Sequence, residues 1–177
     1  MKNQLVLLFA LLSLTACKKQ SVVVAGDSWA AFVCANKSMD TALQDAGIEG
    51  ASTLPTCAAT VENGVKADKW FQSHAFTTSL AAIKDPSVKV LYLSLGGNDL
   101  MNYWKKSMTS AEEQQVYATT RQHIADIIQA YRNVRPDIHI LVSGYDFPRF
   151  TANHPIEAYR KIYEEMGSPT PFEVNGS

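Results

Sequence analysis

Apolar runs and amphipathic stretches alternate along this chain. Val22-Val23-Val24-Ala25 is a short unbroken run of small and β-branched residues, the pattern of a strand buried on both faces. Gly26-Asp27-Ser28 closes it. From Trp29 to Asp45 the residues Phe32, Val33, Met39, Ala42 and Leu43 recur on one side, which predicts a helix stopped by Gly47. Ala51 to Asn63 is rich in turn formers and carries Pro55, so it reads as a short strand and a loop ending at Gly64. Asp68 to Ile83 is helical in character, in two pieces, because Trp70, Phe71, Phe76 and Leu80 do not fall on one stripe. After the turn Asp85-Pro86-Ser87, the segment Val88 to Leu95 predicts a second buried strand. Thr109 or Ser110, with Glu112 and Glu113 in the first turn, opens the longest helix. It runs to about Val134 with Ile124, Ile127, Ile128 and Tyr131 on one face, and Arg135-Pro136-Asp137 ends it. Ile138 to Ser143 predicts a third strand. His154-Pro155 starts a last helix through Glu165, and Gly167 to Ser177, with two prolines, reads as an unstructured tail.

Strands that alternate with helices predict an α/β domain whose parallel sheet is covered on both faces. The 177 residues suffice for one domain with a sizeable core, and a hydrophobic share of 46% excludes wholesale disorder. A formal net charge of -1 gives no reason to expect nucleic acid as a partner.

The first segment changes the picture, because it reads as an address and not as structure. Lys2 supplies a positive start, and Leu5 to Leu14 an apolar stretch too short to span a bilayer with ease. Leu14-Thr15-Ala16-Cys17 resembles the lipobox of bacterial lipoproteins, in which the cysteine is lipidated and becomes the first mature residue. An ordinary secretory signal cut nearby is the alternative. The expected organisation is a lipoprotein signal peptide over residues 1–16, the lipidated Cys17 and a short linker to residue 20, one domain over 21–166, and a tail over 167–177. The location is the bacterial cell envelope, lipid-anchored on a periplasmic or extracellular face. About five strand residues at ~3.3 Å each place Ser28 on the order of 17 Å further from the membrane than the strand's start. In an oxidising compartment Cys34 and Cys57 either form a disulfide or stay as two buried thiols, and spacing alone leaves both open. No cysteine pair has zinc-site spacing, and no metal is implied.

Candidate chemistry starts at Ser28. A serine at a strand-to-helix turn lies where open α/β sheets place their ligands, and its N–H lies at a helix N-terminus. Asp27 or Ser28 acting only as a helix cap is the plainer reading. Two further segments are expected at the same sheet edge: Gly64 within Val61-Glu62-Asn63-Gly64, and Gly96-Gly97-Asn98-Asp99 directly after the second long strand. For these the plainer reading is turn chemistry, and for Asn98 a side-chain cap.

Taken in order, Gly26-Asp27-Ser28, Gly64, Gly96-Gly97-Asn98-Asp99 and the strand end Ser143-Gly144-Tyr145-Asp146 resemble the blocks of the SGNH hydrolases, also called GDSL esterases and lipases. The resemblance covers about Val22 to Tyr145. It implies a three-layer α/β/α flavodoxin-like parallel sheet, here lacking the C-terminal part. It implies hydrolysis of a carboxylic ester with Ser28 as nucleophile, and an oxyanion hole from the N–H groups of Ser28 and Gly64 and the side chain of Asn98. Such donors are worth about 2.7–4 kcal/mol each to a tetrahedral intermediate. Asp27 and Asp99 would orient the serine turn by accepting backbone hydrogen bonds. No cofactor is implied. The substrate is a small ester, a lipid or an acetylated carbohydrate, and the membrane is reached through the N-terminal lipid.

One part of the family pattern is missing. A serine nucleophile needs a base, which in that family is a histidine three residues after an aspartate. The chain contains no Asp-x-x-His; its histidines are His74, His123, His139 and His154. His74 and His123 fall in predicted helices and read as ordinary surface or partly buried residues. His139 begins a strand, at the wrong end of the sheet. His154 is on the correct side, near the start of the last helix. Two expectations follow: a fragment of a longer hydrolase, or a shortened chain that binds an acylated or glycan ligand without turnover. As written, the chain is expected to hydrolyse esters poorly or not at all.

Overall fold

A computed structural model describes residues 19–48, 51–53, 56–144, 157–165 and 167. The five strands it describes are β1 (Lys19–Gln20), β2 (Val22–Gly26), β3 (Ala51–Ser52), β4 (Val90–Ser94) and β5 (His139–Ser143). The helices are α1 (Ser28–Ala35), α2 (Ser38–Asp45), α3 (His74–Ala82), α4 (Gly97–Tyr103), α5 (Ser110–Val134) and α6 (Glu157–Glu165), with 3-10 turns at Cys57–Ala59 and Ala67–Gln72.

The expected parallel sheet is present. β2, β4 and β5 form a three-stranded parallel sheet in that order, with Gly26, Ser94 and Ser143 in register at its carboxyl end. Lys19–Gln20, expected as linker, already pairs in parallel with Ala51–Ser52. Ser21 is the changeover: its N–H donates to Ser52 O at 3.0 Å, while its carbonyl accepts from Lys89 N at 2.8 Å and Val90 N at 3.2 Å. A strand that swaps partners in this way cannot keep one continuous ladder, which divides it into β1 and β2.

Alternation along the strands divides the core in two. Val23, Ala25, Leu91 and Leu93 pack with Trp70, Ala75, Ile83, Ile127 and Tyr131 on one face. Val22 and Val24, with Val90 and Tyr92, meet Ala30, Val33, Met39, Leu43 and Cys57 on the other. Both faces are therefore covered by helices. β5 is the outermost strand of the sheet among the described residues, and Leu141 and Val142 on it stand exposed.

The longest helix follows its sequence closely. Thr109 and Glu112 make a reciprocal capping box: Thr109 Oγ1 accepts from Glu112 N–H, and Glu112 Oε2 accepts from Thr109 N–H at 2.7 Å. These bonds hold the Glu112 carboxyl below its ordinary value. Ile127 and Tyr131 are fully buried, with Ile124 and Ile128 packed beside them. Tyr131 OH joins Ser79 Oγ at 2.6 Å and accepts from Trp70 Nε1 at 3.2 Å, so the hydroxyl is satisfied inside the core. Arg135 closes the helix by donating to Ile83 O at 2.9 Å and Asp85 O at 2.8 Å.

The single helix expected over Trp29 to Asp45 is two. α1 ends at Ala35 with Asn36 as its C-cap, and Lys37 adopts φ +53, a left-handed conformation that α-helix cannot pass through. The break resets the helical phase. Phe32 and Ala42, expected on the buried side, are exposed, whereas Val33, Met39 and Leu43 pack inward. Cys34 at the end of α1 is bonded to Cys57, with Cα atoms 5.6 Å apart, which settles the question that the spacing left open. The stretch from Asp68 to Ile83 divides as expected: a 3-10 segment ends at Gln72, and Ser73 caps α3 by accepting from Phe76 N–H at 2.9 Å.

Candidate active site

The site forms where β2 and β4 end. Gly26, the last residue of β2, extends the edge: its N–H donates to Thr60 O at 3.3 Å and its carbonyl accepts from Glu62 N at 2.8 Å, which brings the Gly64 loop alongside. On its other side Asp27 N–H donates to Ser94 O at 3.0 Å. Gly26 has φ +140, and a Cβ there would lie 2.0 Å from Ser94 O, so the close approach of the two strands at this point requires glycine.

Asp27 is wholly buried and is the N-cap of α1, with Oδ1 accepting from Trp29 N–H at 3.1 Å. The capping role expected as the plainer reading is therefore real. It belongs to Asp27 and leaves Ser28 as the first residue of the helix, half-buried, with its N–H among the donors of the first turn.

Asn98 joins the three segments. Its Nδ2 donates to Val65 O at 2.9 Å and to Asp27 Oδ2 at 3.4 Å, so one side chain touches the residue before Ser28 and the residue after Gly64. The second of these bonds is long, and the hydrogen it uses is only loosely held. Gly64 itself has φ +76 in an exposed turn with open space around its α-carbon.

The segment Gly96 to Asp99 is not a plain loop. Gly96, at φ +107, precedes α4, and Asn98 and Asp99 lie in the first turn of that helix. Asp99 is completely buried, and its Oδ2 accepts from Ala67 N–H at 2.7 Å. It therefore braces the chain just beyond Gly64 and does not touch the serine turn. Burial pushes its carboxyl above the ordinary value, against the lowering effect of the Ala67 hydrogen bond. Asp99 Oδ1 has no hydrogen-bond partner among the described residues, and neither does Ser94 Oγ at the end of β4.

No histidine among the described residues is hydrogen-bonded to Ser28. His139 opens β5 at the amino end of the sheet, as expected, and His74 opens α3, exposed, in contact with Thr78 Oγ1 at 3.3 Å. His123 is half-buried on α5, as expected, and lines a pocket together with Asp99. Cys17, Tyr145, Asp146 and His154 lie outside the described residues. Among the described residues no group of three His, Cys, Asp or Glu side chains is placed to hold a metal, and no helix is long and apolar enough to cross a membrane.

The pattern did not reveal Val65 O, Ala67 N or Ser94 as parts of this edge. Nothing in their residue types signals it, since two act through backbone atoms and the third is a small strand residue. No protein-family model, curated protein or solved structure matches the chain.

Proposed function

We propose that this chain carries the core of an SGNH-type serine ester hydrolase, built on a flavodoxin-like three-layer sheet. The observation that carries the reading is Asn98 Nδ2, which bonds to Asp27 beside Ser28 and to Val65 beside Gly64. Three motifs far apart in the chain thus meet at one sheet edge, where α/β folds place their chemistry.

In this reading Ser28 Oγ attacks the carbonyl of a carboxylic ester. The negative charge that develops on the carbonyl oxygen is met by the N–H groups of Ser28 and Gly64 and by Asn98 Nδ2. The alcohol leaves, and water hydrolyses the acyl group from Ser28. Asp27 holds the turn by capping α1, and Asp99 holds the segment beyond Gly64. The substrate is a small ester, a lipid or an acetylated carbohydrate, and no cofactor takes part. Cys17 carries the lipid that anchors the domain to the envelope membrane.

Without Asp-x-x-His the chain has no assigned base. Catalysis would then rest on the oxyanion donors and on binding, which in a serine protease without its triad still leaves ~10³–10⁴-fold over water. This same lack favours a second reading, a non-catalytic envelope lipoprotein that binds an acylated or glycan ligand in the cleft.

A fluorophosphonate probe separates the two. Labelling of the folded chain that disappears in Ser28→Ala and falls about 10²–10³-fold in Asn98→Ala supports the hydrolase. Silence in a full-length, folded protein rejects it in favour of binding. The anchor has its own check: a mature N-terminus at Cys17 with added acyl mass is expected, and an intact or differently cut N-terminus refutes it.

A further inference from the structure

The outer side of α1 is unusual for a surface helix. Its eight residues, Ser28 to Ala35, carry no charge, and after Ser28 none has a hydroxyl, amide or carboxyl side chain. Ala30, Val33 and Cys34 face the sheet side of the helix and pack into the core there. The opposite side carries Ser28, Phe32 and Ala35 at the helical repeat. A helix that is apolar all round is ordinarily covered all round. On α1, Phe32 stays 51% exposed and Trp29 39% exposed.

These two rings lie beside the proposed nucleophile. Residues four apart share one helix face, and side chains lean toward the helix N-terminus. Phe32 follows Ser28 by four residues, so its ring leans over the turn that Ser28 opens. Trp29 meets Phe32 edge to face, with ring centroids 6.1 Å apart. The pair forms a shelf that begins at Ser28 and runs about 6 Å along the helix axis.

The shelf selects its occupant by what it lacks. No ionisable side chain of α1 stands ready to meet a charged ligand. A sugar could stack on either ring, but after Ser28 the helix offers its hydroxyls no side-chain acceptor. A hydrocarbon chain needs only apolar surface. In the reaction assigned to the site, Ser28 Oγ bonds to the acyl carbon, the bond from that carbon to the alcohol oxygen breaks, and the alcohol takes the Ser28 proton. The acyl group is thus the part of the ester that stays bonded beside the shelf.

We propose that Trp29 and Phe32 form the acyl-chain subsite, so that the preferred substrate is a fatty acyl ester and not an acetate ester. This rests on Ser28 as the reacting group. Each methylene taken out of water is worth ~4-fold in binding. A shelf covers a chain on one side, so three or four methylenes laid on it are worth about tenfold.

The test has two arms, so that the shelf and the nucleophile can fail separately. The first uses the unreactive Ser28→Ala chain with methyl octanoate, methyl acetate and peracetylated glucose, read by tryptophan fluorescence. Trp70 and Trp104 are buried, so a change in exposed tryptophan emission reports Trp29. A saturable change with methyl octanoate is expected, at least tenfold weaker with the other two and weakened about 3- to 10-fold by adding Phe32→Ala. The second arm follows acylation of the native chain by mass. 4-Nitrophenyl octanoate should acylate Ser28 at least tenfold faster than 4-nitrophenyl acetate, and Phe32→Ala should lower the octanoate rate and leave the acetate rate unchanged. No saturable change with methyl octanoate, equal binding of methyl acetate or of the sugar ester, or a response untouched by Phe32→Ala overturns the shelf. So does acylation without preference for octanoate, which leaves Ser28 as the nucleophile. Binding of methyl octanoate with no acylation by either ester upholds the shelf and rejects the nucleophile. A dimer that Phe32→Ala converts to monomer, with no octanoate binding, gives this face to a second copy and also overturns the proposal.

Discussion

A methyl group added to Gly26 would sit 2.0 Å from the Ser94 carbonyl oxygen and 2.8 Å from its carbon. Non-bonded heavy atoms settle at about 3.5–4.0 Å, so β2 and β4 must separate by more than 1 Å at the site edge. Strands in a sheet hold a spacing of about 4.8 Å, and an opening of that size breaks the bonds that span it. The first to go is Asp27 N–H to Ser94 O at 3.0 Å, and the last ladder pair of the two strands follows. Each is worth about 0.5–1.5 kcal/mol. Alanine at φ +140 adds about 1–3 kcal/mol of backbone strain. Gly26→Ala should therefore cost about 3–5 kcal/mol, a large part of a typical domain's 5–15 kcal/mol. Gly64→Ala is the control. Its φ of +76 is also unfavourable for alanine, but no atom lies within 4 Å of the added carbon. Strain alone should cost it about 1–2 kcal/mol. Urea unfolding followed by far-UV circular dichroism and tryptophan fluorescence reads both. With a slope near 2 kcal/mol/M, Gly26→Ala should lower the midpoint by about 2 M and Gly64→Ala by under about 1 M. Equal losses in the two variants would refute the claim that strand approach, and not backbone angle, demands glycine at position 26.

Three other outcomes follow from the same structure. Replacing Cys34 and Cys57 together by serine opens a loop with a sequence separation of 23 and should cost about 3.4 kcal/mol on the chain-entropy account, read as a lower urea midpoint that matches the reduced native chain. Tyr131→Phe leaves Trp70 Nε1–H without its acceptor and Ser79 Oγ without one partner, so a loss of about 2 kcal/mol and ~4–8 °C in Tm is expected by calorimetry; no change would mean that the buried trio is not coupled. Asp99 has its carboxyl raised by burial above an unfolded value of 3.8, so its stabilising protonated form is fully present below that pH and is lost as pH rises through the folded value. Stability of the native chain relative to Asp99→Asn should therefore fall as pH rises above about 4, with the difference levelling off once Asp99 ionises, and a pH-independent difference would show that Asp99 does not resist ionisation.

The order of elements in this protein was legible in the chain wherever a local pattern carries the information. The apolar run Val22 to Ala25, the alternation in Val90–Ser94 and the isoleucine stripe of α5 specify their own secondary structure, because burial on one or two faces leaves a period in the sequence. Thr109 and Glu112 marked a helix start for the same local reason, and the parallel sheet with both faces covered followed from strands alternating with helices. What the pattern missed depended on distant partners. Lys37 in its left-handed conformation divides one predicted helix, and Cys34 reaches Cys57 only because the two chain segments pack against the same face of the sheet. Gly96 to Asp99 looked like a loop because a seven-residue helix is too short to show a period. Asp99 bonds to Ala67, 32 residues away, and Asn98 to Asp27, 71 away. Such contacts are set by which strand ends lie side by side and by how closely their backbones approach. That is a property of packing in three dimensions, and residue types alone do not encode it at any fixed spacing.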